Sequence, residues 1–331
     1  MRPHHFKAAG VCLAAAVLLT ACSRSSGEPA AATDNVRIMV GGIEKVIYLP
    51  AKLTEQLGYF ADEGLDVELL TEPSGAQAEN VLISGDVDGV VGFYDHTIDL
   101  QAKDKCIQSV VQFADVPGEA EVVAIDQADS LASPSDFAGA NLGVTSPGSS
   151  TDFLTRALAV RAGVDPGEYT TVKAGAGQTF IAAIDSGGID AGMTTDPTIA
   201  QLVTTGQGEV IVDMRTAEGT QEALGGLYPG SSLYMDCGWV AENKPTVQKL
   251  ANALVRTLQF IDSHSAAEIA AEMPTEFNGG DPQLYEQAIA DSMTMFTADG
   301  VMPPDGPRNV LDVLATFSPS VQGKKDSIDL S

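Results

Sequence analysis

The chain has 331 residues, 44% of them hydrophobic, and sets 45 acidic against 18 basic side chains for a net charge of −27. So acidic a surface excludes nucleic acid as a partner, because phosphates demand Lys and Arg. The length admits one large domain or two, and no Cys/His cluster has metal-ligand spacing, so no metal and no cofactor is expected.

The first element is an export signal. Arg2, His4, His5 and Lys7 form a basic n-region, followed by an apolar run from Ala8 to Leu19 and then Leu19-Thr20-Ala21-Cys22. About a dozen apolar residues fall short of the roughly 20 that span a bilayer, so 1–21 reads as a secretory signal peptide. Plain secretion with an incidental cysteine is one reading. The Leu-x-Ala-Cys pattern resembles the bacterial lipobox, which makes Cys22 the expected lipid attachment site. Residues 22–34, rich in Ser and Ala and without hydrophobic periodicity, read as a flexible tether. Loss of Arg2 and Lys7 with the signal takes the net charge to −29. The mature chain is expected to be exported, lipid-anchored to the outer face of the cytoplasmic membrane or in the periplasm.

Strand and helix patterns then alternate. Val36–Val40 reads as a strand, Leu49–Phe60 as a helix, Leu65–Leu70 as an alternating strand and Ile107–Phe113 as another strand. Within this stretch GAQAENVLISGDVD (75–88) returns 102 residues later as GQTFIAAIDSGGID (177–190). Each copy runs into an apolar stretch (89–94 and 191–195) and then an aspartate, Asp95 or Asp196, that opens another helical pattern. An internal repeat of this size is a repeated supersecondary unit, unless two βαβ units merely look alike. In the second half Asn141–Thr145, Tyr169–Lys173 and Val210–Met214 read as strands and Thr151–Val164 as a helix. Such alternation predicts the α/β class, with two lobes, each a mostly parallel sheet flanked by helices, and a cleft between them.

Beyond Tyr228-Pro229-Gly230 the pattern changes. Ser231–Val240 is extended, Val247 to Ile261 keeps the spacing of one buried helix face, and Ala266–Ala271, Gln283–Phe296 and Asn309–Phe317 read as helices. Helices returning after the second lobe are expected to pack on the first. That assigns 35–127 and 228–331 to a discontinuous lobe 1 and 128–227 to lobe 2, with candidate hinges near Val122–Ala128 and Ser231–Val240. Cys106 and Cys237, at the edges of strand-like runs in an oxidising compartment, either form a disulfide or remain two buried thiols.

Ligands of open α/β sheets bind beyond the carboxyl ends of the strands, which puts several small-residue loops in the cleft. Ser149, Ser150 and Thr151 open a helix whose free N–H groups and dipole favour an acceptor, although Ser149 with Asp152 also resembles a capping box. Ser74 and Gly75 make a similar helix start in the first half, and Gly175-Ala176-Gly177-Gln178 a second one in the other. Tyr94, Asp95 and His96 offer a ring, a carboxylate and a titrating donor; the bland reading is a helix cap with Tyr94 packed below. Thr195 and Asp196 hold the corresponding place, Asp196 before Pro197 being also an ordinary helix start. Trp239 fits core or hinge packing better than ligand stacking. No nucleophile elbow, phosphate loop or dinucleotide fingerprint occurs, so the chain does not read as an enzyme.

Tyr48-Leu49-Pro50-Ala51, Leu57-Gly58-Tyr59-Phe60 and Glu63-Gly64-Leu65-Asp66-Val67-Glu68-Leu69 resemble the opening of the nitrate/sulfonate/taurine-type periplasmic binding proteins, a group that also includes binders of thiamine precursors. Ser84-Gly85-Asp86-Val87-Asp88, Gly143 to Ser150 and Ser186 to Ala191 continue the resemblance, which covers about Val36 to Phe317. It implies a type II-like periplasmic binding fold, hinge closure, a small-molecule ligand and delivery to the permease subunits of an ABC importer, by a monomer held at the membrane through its N-terminal lipid. By position it adds Tyr48 and Leu49 to the ligand-binding residues. The candidates lack an arginine such as a sulfonate or nitrate clamp uses, which leaves a sulfonate, a nitrate-like anion or a nitrogen heterocycle such as a pyrimidine open. The same fold serves a hydroxymethylpyrimidine synthase, but the cysteine-rich motif of that enzyme is absent. Mass spectrometry of the native N-terminus is expected to find acyl groups on Cys22. An unmodified, freely soluble mature chain would contradict the lipobox reading.

Overall fold

The computed structural model describes residues 34–330; the signal, Cys22 and the tether up to Thr33 lie outside the described residues. Among the described residues, no helix is long and apolar enough to cross a membrane. The described residues contain ten strands in two five-stranded sheets. The first holds β1 (Asp34–Val40), β2 (Leu65–Thr71), β3 (Gly89–Phe93), β4 (Ile107–Gln112) and β10 (Ser231–Asp236). The second holds β5 (Glu119–Ala124), β6 (Asn141–Val144), β7 (Thr170–Lys173), β8 (Ala191–Thr195) and β9 (Gly208–Asp213).

The two sheets have one plan. The first is ordered β2-β1-β3-β10-β4 and the second β7-β6-β8-β5-β9. The first three strands of each run parallel, while β10 and β5 run antiparallel to both of their neighbours. The repeat has a physical cause at its aspartates. Asp88 accepts the Arg37 N–H at 2.8 Å, and Asp190 accepts the Asn141 N–H at 2.7 Å. Their own N–H groups donate back to the carbonyls of Arg37 and Asn141 at 2.9 and 2.8 Å. Each aspartate thus starts β3 or β8 in register beside β1 or β6.

Three expectations need correction. The helix expected over Leu49–Phe60 is two, Leu49–Gln56 and Tyr59–Asp62, because Gly58 takes φ +74° and ends the first. Val122–Ala128 is no crossing: Val122 to Ala124 belong to β5, a buried strand disguised by Glu119 and Glu121. Nor is Ser231–Val240, since β10 is followed directly by the helix Cys237–Glu242, capped by Asp236 on the N–H groups of Gly238 and Trp239. The chain changes sheet at 113–118 and returns at 225–230. These connections run side by side, Gly230 N–H donating to Ala114 O at 2.9 Å.

The helix Lys244–Ser263 buries Leu250, Ala253, Leu254, Thr257, Leu258 and Ile261. It packs on 49–56 and 59–62, with the Thr257 and Thr54 hydroxyls 2.7 Å apart and the Arg256 guanidinium 3.9 Å over the Tyr59 ring. The later helices do not all follow it. Pro282–Ser292 lies against Thr198–Thr204 beside the second sheet, and Gly306–Leu314 touches both 95–102 and 150–161. Trp239 is half-buried against the main core.

Cys106 and Cys237 are joined in a disulfide that closes a loop spanning 131 residues of sequence. A cross-link over so long a loop chiefly limits the unfolded chain, and its removal costs about 2–5 kcal/mol. The double variant Cys106→Ser/Cys237→Ser is therefore expected to unfold at clearly lower urea concentration than the parent, with its fold retained. Coincident unfolding curves would show that the bond contributes nothing.

Candidate functional site

The carboxyl ends of the parallel strands in both sheets meet in one buried polar cluster. After β1 the chain turns at Gly41-Gly42, and Lys45 folds back so that Nζ donates to the carbonyls of Gly41 at 2.7 Å and Pro73 at 3.3 Å. The Lys45 ammonium stands 5.9 Å from the Tyr48 ring centre. After β2, Ser74 caps the helix Gly75–Ser84. Gly75 is needed there because a Cβ would come 2.5 Å from His96 Nε2. After β3, Asp95 and His96 begin the helix Asp95–Ala102.

Around these groups the second sheet closes. Glu119 starts β5 opposite Thr195 in β8. Ser150, first residue of the helix Ser150–Arg161, donates its hydroxyl to Glu119 Oε1 at 2.8 Å. Ser146 Oγ donates to Ser74 Oγ at 2.9 Å, linking the loops at the two sheet ends directly. Tyr228, on the returning connection, donates to Asp95 Oδ2 at 2.9 Å. His96 Nδ1 lies 2.8 Å from Glu79 Oε1 and 3.7 Å from Asp95 Oδ1. The imidazole meets Phe153 and Tyr234 edge-on, with ring centres 5.7 and 6.5 Å away. All these side chains are buried, Phe153 at the margin.

Burial dominates the electrostatics. It pushes Glu119 up to about 8, against the Ser150 hydrogen bond and helped by the charge of Asp95. Asp95 rises to about 6 for the same reason, although His96 and Tyr228 pull it down. Burial alone would lower His96, but Glu79 and Asp95 outweigh it and raise the imidazole to about 9. Lys45 is lowered by burial, with Glu44 and Glu119 opposing. The Tyr48, Tyr228 and Tyr234 hydroxyls are pushed far up, first by burial and then by neighbouring carboxylates, so they stay protonated. Asp95 Oδ1, Glu119 Oε2 and the Tyr234 hydroxyl have no hydrogen-bond partner in the chain. The His96 ring nitrogens and both Glu121 oxygens likewise lack a hydrogen-bond partner; buried polar atoms are almost always partnered, so the cluster offers a bound solute both acceptors and donors.

The sequence candidates divide. Ser74, Gly75, Asp95, His96 and Ser150 come together, with Tyr48 and Thr195 beside them. Leu49 belongs to the apolar core behind Tyr48. Ser149 and Thr151 hold the loop itself: Ser149 Oγ donates to Ser146 O at 2.7 Å, and Thr145 N–H donates to Thr151 Oγ1 at 2.9 Å. The expected capping box does not form, because Asp152 accepts from Gly148 N–H and Arg156 Nε instead. Tyr94 lines a separate cavity of about 140 Å³ with Val111, Met302 and Leu330. Asp196 is spent on structure, accepting from Ala200 N–H at 3.0 Å, Arg215 Nη1 at 3.0 Å and Ser292 Oγ at 2.7 Å. Ala176-Gly177-Gln178 lies on a different cavity, of about 550 Å³, with Phe277 and Tyr285. Lys45, Glu79, Glu119 and Tyr228 escape the sequence reading, since single polar residues do not stand out in so acidic a chain. The one available signal was a glutamate at the edge of an apolar Ala/Val run.

Two α/β sheets of this shared strand order, each completed by an antiparallel strand, with a polar cluster between their strand ends, define the periplasmic binding protein fold. The chain belongs to the NMT1/THI5-like family, whose model matches residues 48–267. A solved structure of a protein from Bordetella bronchiseptica RB50 is 35% identical, with a TM-score of 0.83 over 90% of this chain and 92% of that one. The alkanesulfonate-binding protein SsuA from Xanthomonas axonopodis pv. citri, bound to MOPS, is similar with a TM-score of 0.68 at 18% identity, over 89% of this chain and 95% of its own. The periplasmic nitrate-binding protein NrtA from Synechocystis PCC 6803 gives 0.67 at 15% identity, over 89% and 86%. No curated protein sequence matches.

The raised values fix a sign. Glu119 and Asp95 hold protons more tightly folded than unfolded, and His96 does the same, so each contribution to stability falls as pH rises through its window. The windows run from 4.5 to about 8 for Glu119, 3.8 to about 6 for Asp95 and 6.5 to about 9 for His96. Urea unfolding of the ligand-free protein is expected to show Glu119→Gln gaining on the parent as pH rises from 5 to 8. A constant difference across that range would contradict the titration of Glu119.

Proposed function

We propose that the chain is the solute-binding lipoprotein of an ABC-type importer. It catches a small polar molecule between two α/β lobes by hinge closure and hands it, unchanged, to the permease subunits. The observation that carries this reading is the polar cluster built jointly by both sheets, with Ser146 reaching Ser74 and Ser150 holding Glu119 beside Asp95. A site assembled from two sheet ends is complete only when the lobes are together, which is how binding becomes a signal a permease can read. The fold shared with the sulfonate-binding and nitrate-binding proteins supports it. On this reading the hinges are the paired connections 113–118 and 225–230, lobe 1 comprises what precedes and follows them, and lobe 2 lies between. Cys22 carries the lipid that keeps the monomer near its permease at the outer face of the cytoplasmic membrane.

Small-angle scattering tests the reading. Protein stripped of solute by unfolding and refolding is expected to be the more extended form, and addition of a small-molecule extract of the host is expected to lower its radius of gyration. An unchanged radius at saturating extract would contradict closure.

A further inference from the structure

We propose that the C-terminal segment 292–317 is a two-point clasp, in which Ser292 and Phe317 hold the second lobe against the first, so that the chain populates its closed form before any solute arrives. The lobes and their connections are those of the solute-binding reading, and the inference rests on it.

The segment is fixed to the first lobe and along both connections. At the end of β4, Gln112 N–H donates to Gly300 O at 3.0 Å and Thr297 N–H donates to Phe113 O at 2.8 Å. Asp115 N–H donates to Met295 O at 3.0 Å, and Ala114 pairs with Phe296 in an antiparallel bridge. The connection 113–118 thus has a third stretch of chain bonded alongside it. The connection 225–230 is held by a side chain, Asn309 Nδ2 donating to Leu227 O at 3.0 Å. Gly226 permits that approach, since a Cβ there would stand 2.9 Å from Asn309. The helices 306–314 and 319–324 both pack on the helix 95–102 of the first lobe.

From that footing the segment reaches the second lobe at two points. Ser292 Oγ donates to Asp196 Oδ2 at 2.7 Å, both residues 0% exposed. Asp196 follows β8, and its carbonyl also accepts from Val46 N–H of the first lobe at 3.0 Å. The second point is the Phe317 ring, 6.0 Å from that of Phe153 on the helix 150–161. Phe153 in turn meets the His96 imidazole of the first lobe at 5.7 Å. Opening about 113–118 and 225–230 carries Asp196 and Phe153 away from groups held on the other side. It breaks a buried hydrogen bond to a carboxylate, a change of about tenfold or more in an equilibrium, and an aromatic contact, a change of about two- to tenfold. Ser292 and Phe317 lie outside the polar cluster, so they are positioning residues that act through Asp196 and Phe153.

Hydrogen exchange of the stripped, refolded mature chain tests the clasp without a ligand. Gly75 and 150–152 are buried where the sheet ends meet, and amides in the first turn of a helix have no intrahelical acceptor, so their exchange reports opening. Ser292→Ala and Phe317→Ala are each expected to speed it at least twofold, and the double variant by about the product, with the amides of β1 and β6 unchanged. Ser292→Thr keeps the hydroxyl and is expected to exchange as the parent does. Thr257→Val removes the buried hydroxyl contact with Thr54 inside the first lobe; it is expected to unfold at lower urea concentration with the rims unchanged. Rims at parent rates in both clasp variants overturn the inference, as does equal acceleration of rims and strands, or rims released by Thr257→Val as well. Should Phe317→Ala fail to fold, Ser292→Ala and Ser292→Thr decide alone. Scattering of the parent with the host extract tests the solute-binding reading separately, so either can fail without the other.

Discussion

The arrangement depends on a set of ionisable groups that neither half of the chain can satisfy alone. Glu119 comes from the first strand of the second sheet and is hydrogen-bonded by Ser150 of its own side, while the charged groups that act on it, Asp95, Lys45 and His96, come from the first. A carboxylate removed from water costs several kcal/mol unless it is paired and hydrogen-bonded. Here the pairing is incomplete, so burial raises both acids and leaves one oxygen on each without a partner. The contact between the sheet ends is thus polar and under electrostatic tension. A polar contact within one chain is the kind that opens, and a solute that relieves the tension shifts the balance toward the closed form by its differential affinity.

The fold explains why these groups meet. A parallel α/β sheet delivers the starts of its helices to one edge, and the chain builds that edge twice with the same device. Asp88 and Asp190 fix the start of β3 and β8 against β1 and β6, so whatever follows those strands arrives at the same level in both sheets. Asp95-His96 follows β3, and Asp196 follows β8. The two copies then diverge in use. Asp95 keeps an oxygen free, whereas Asp196 is filled by Ala200, Arg215 and Ser292 and ties the second sheet to the C-terminal helix 282–292. One repeated aspartate is left with an unpartnered oxygen and the other is a clasp.

That duplication is also why so much was legible in the sequence. The repeat, the strand alternation and the small-residue helix starts are local patterns, and they singled out Ser74, Gly75, Asp95, His96 and Ser150, which the fold brings into one buried cluster. What stayed hidden depends on long-range placement. Glu119 and Glu121 made β5 look like a connector, because a strand buried at every position is expected to be apolar, and Glu119 is tolerated only through Ser150 and the groups of the other sheet. Lys45 and Tyr228 lie in loops whose local pattern carries no sign of their distant partners: Pro73, 28 residues away, for one and Asp95, 133 residues away, for the other. The same reasoning placed Tyr94 in the cleft, although the helix turn sends its side chain toward Val111 and Leu330.

Hydrogen exchange at the two rims reports whether the cleft closes on its solute. Residues 74–78 and 149–152 open helices at the ends of different sheets, and Ser74, Gly75 and 149–152 are buried where those ends meet. With a solute bound, both segments should be protected together, and its removal should release both together while the strands β1 and β6 stay protected. Equal protection of both rims with and without solute would contradict a cleft that closes on its ligand.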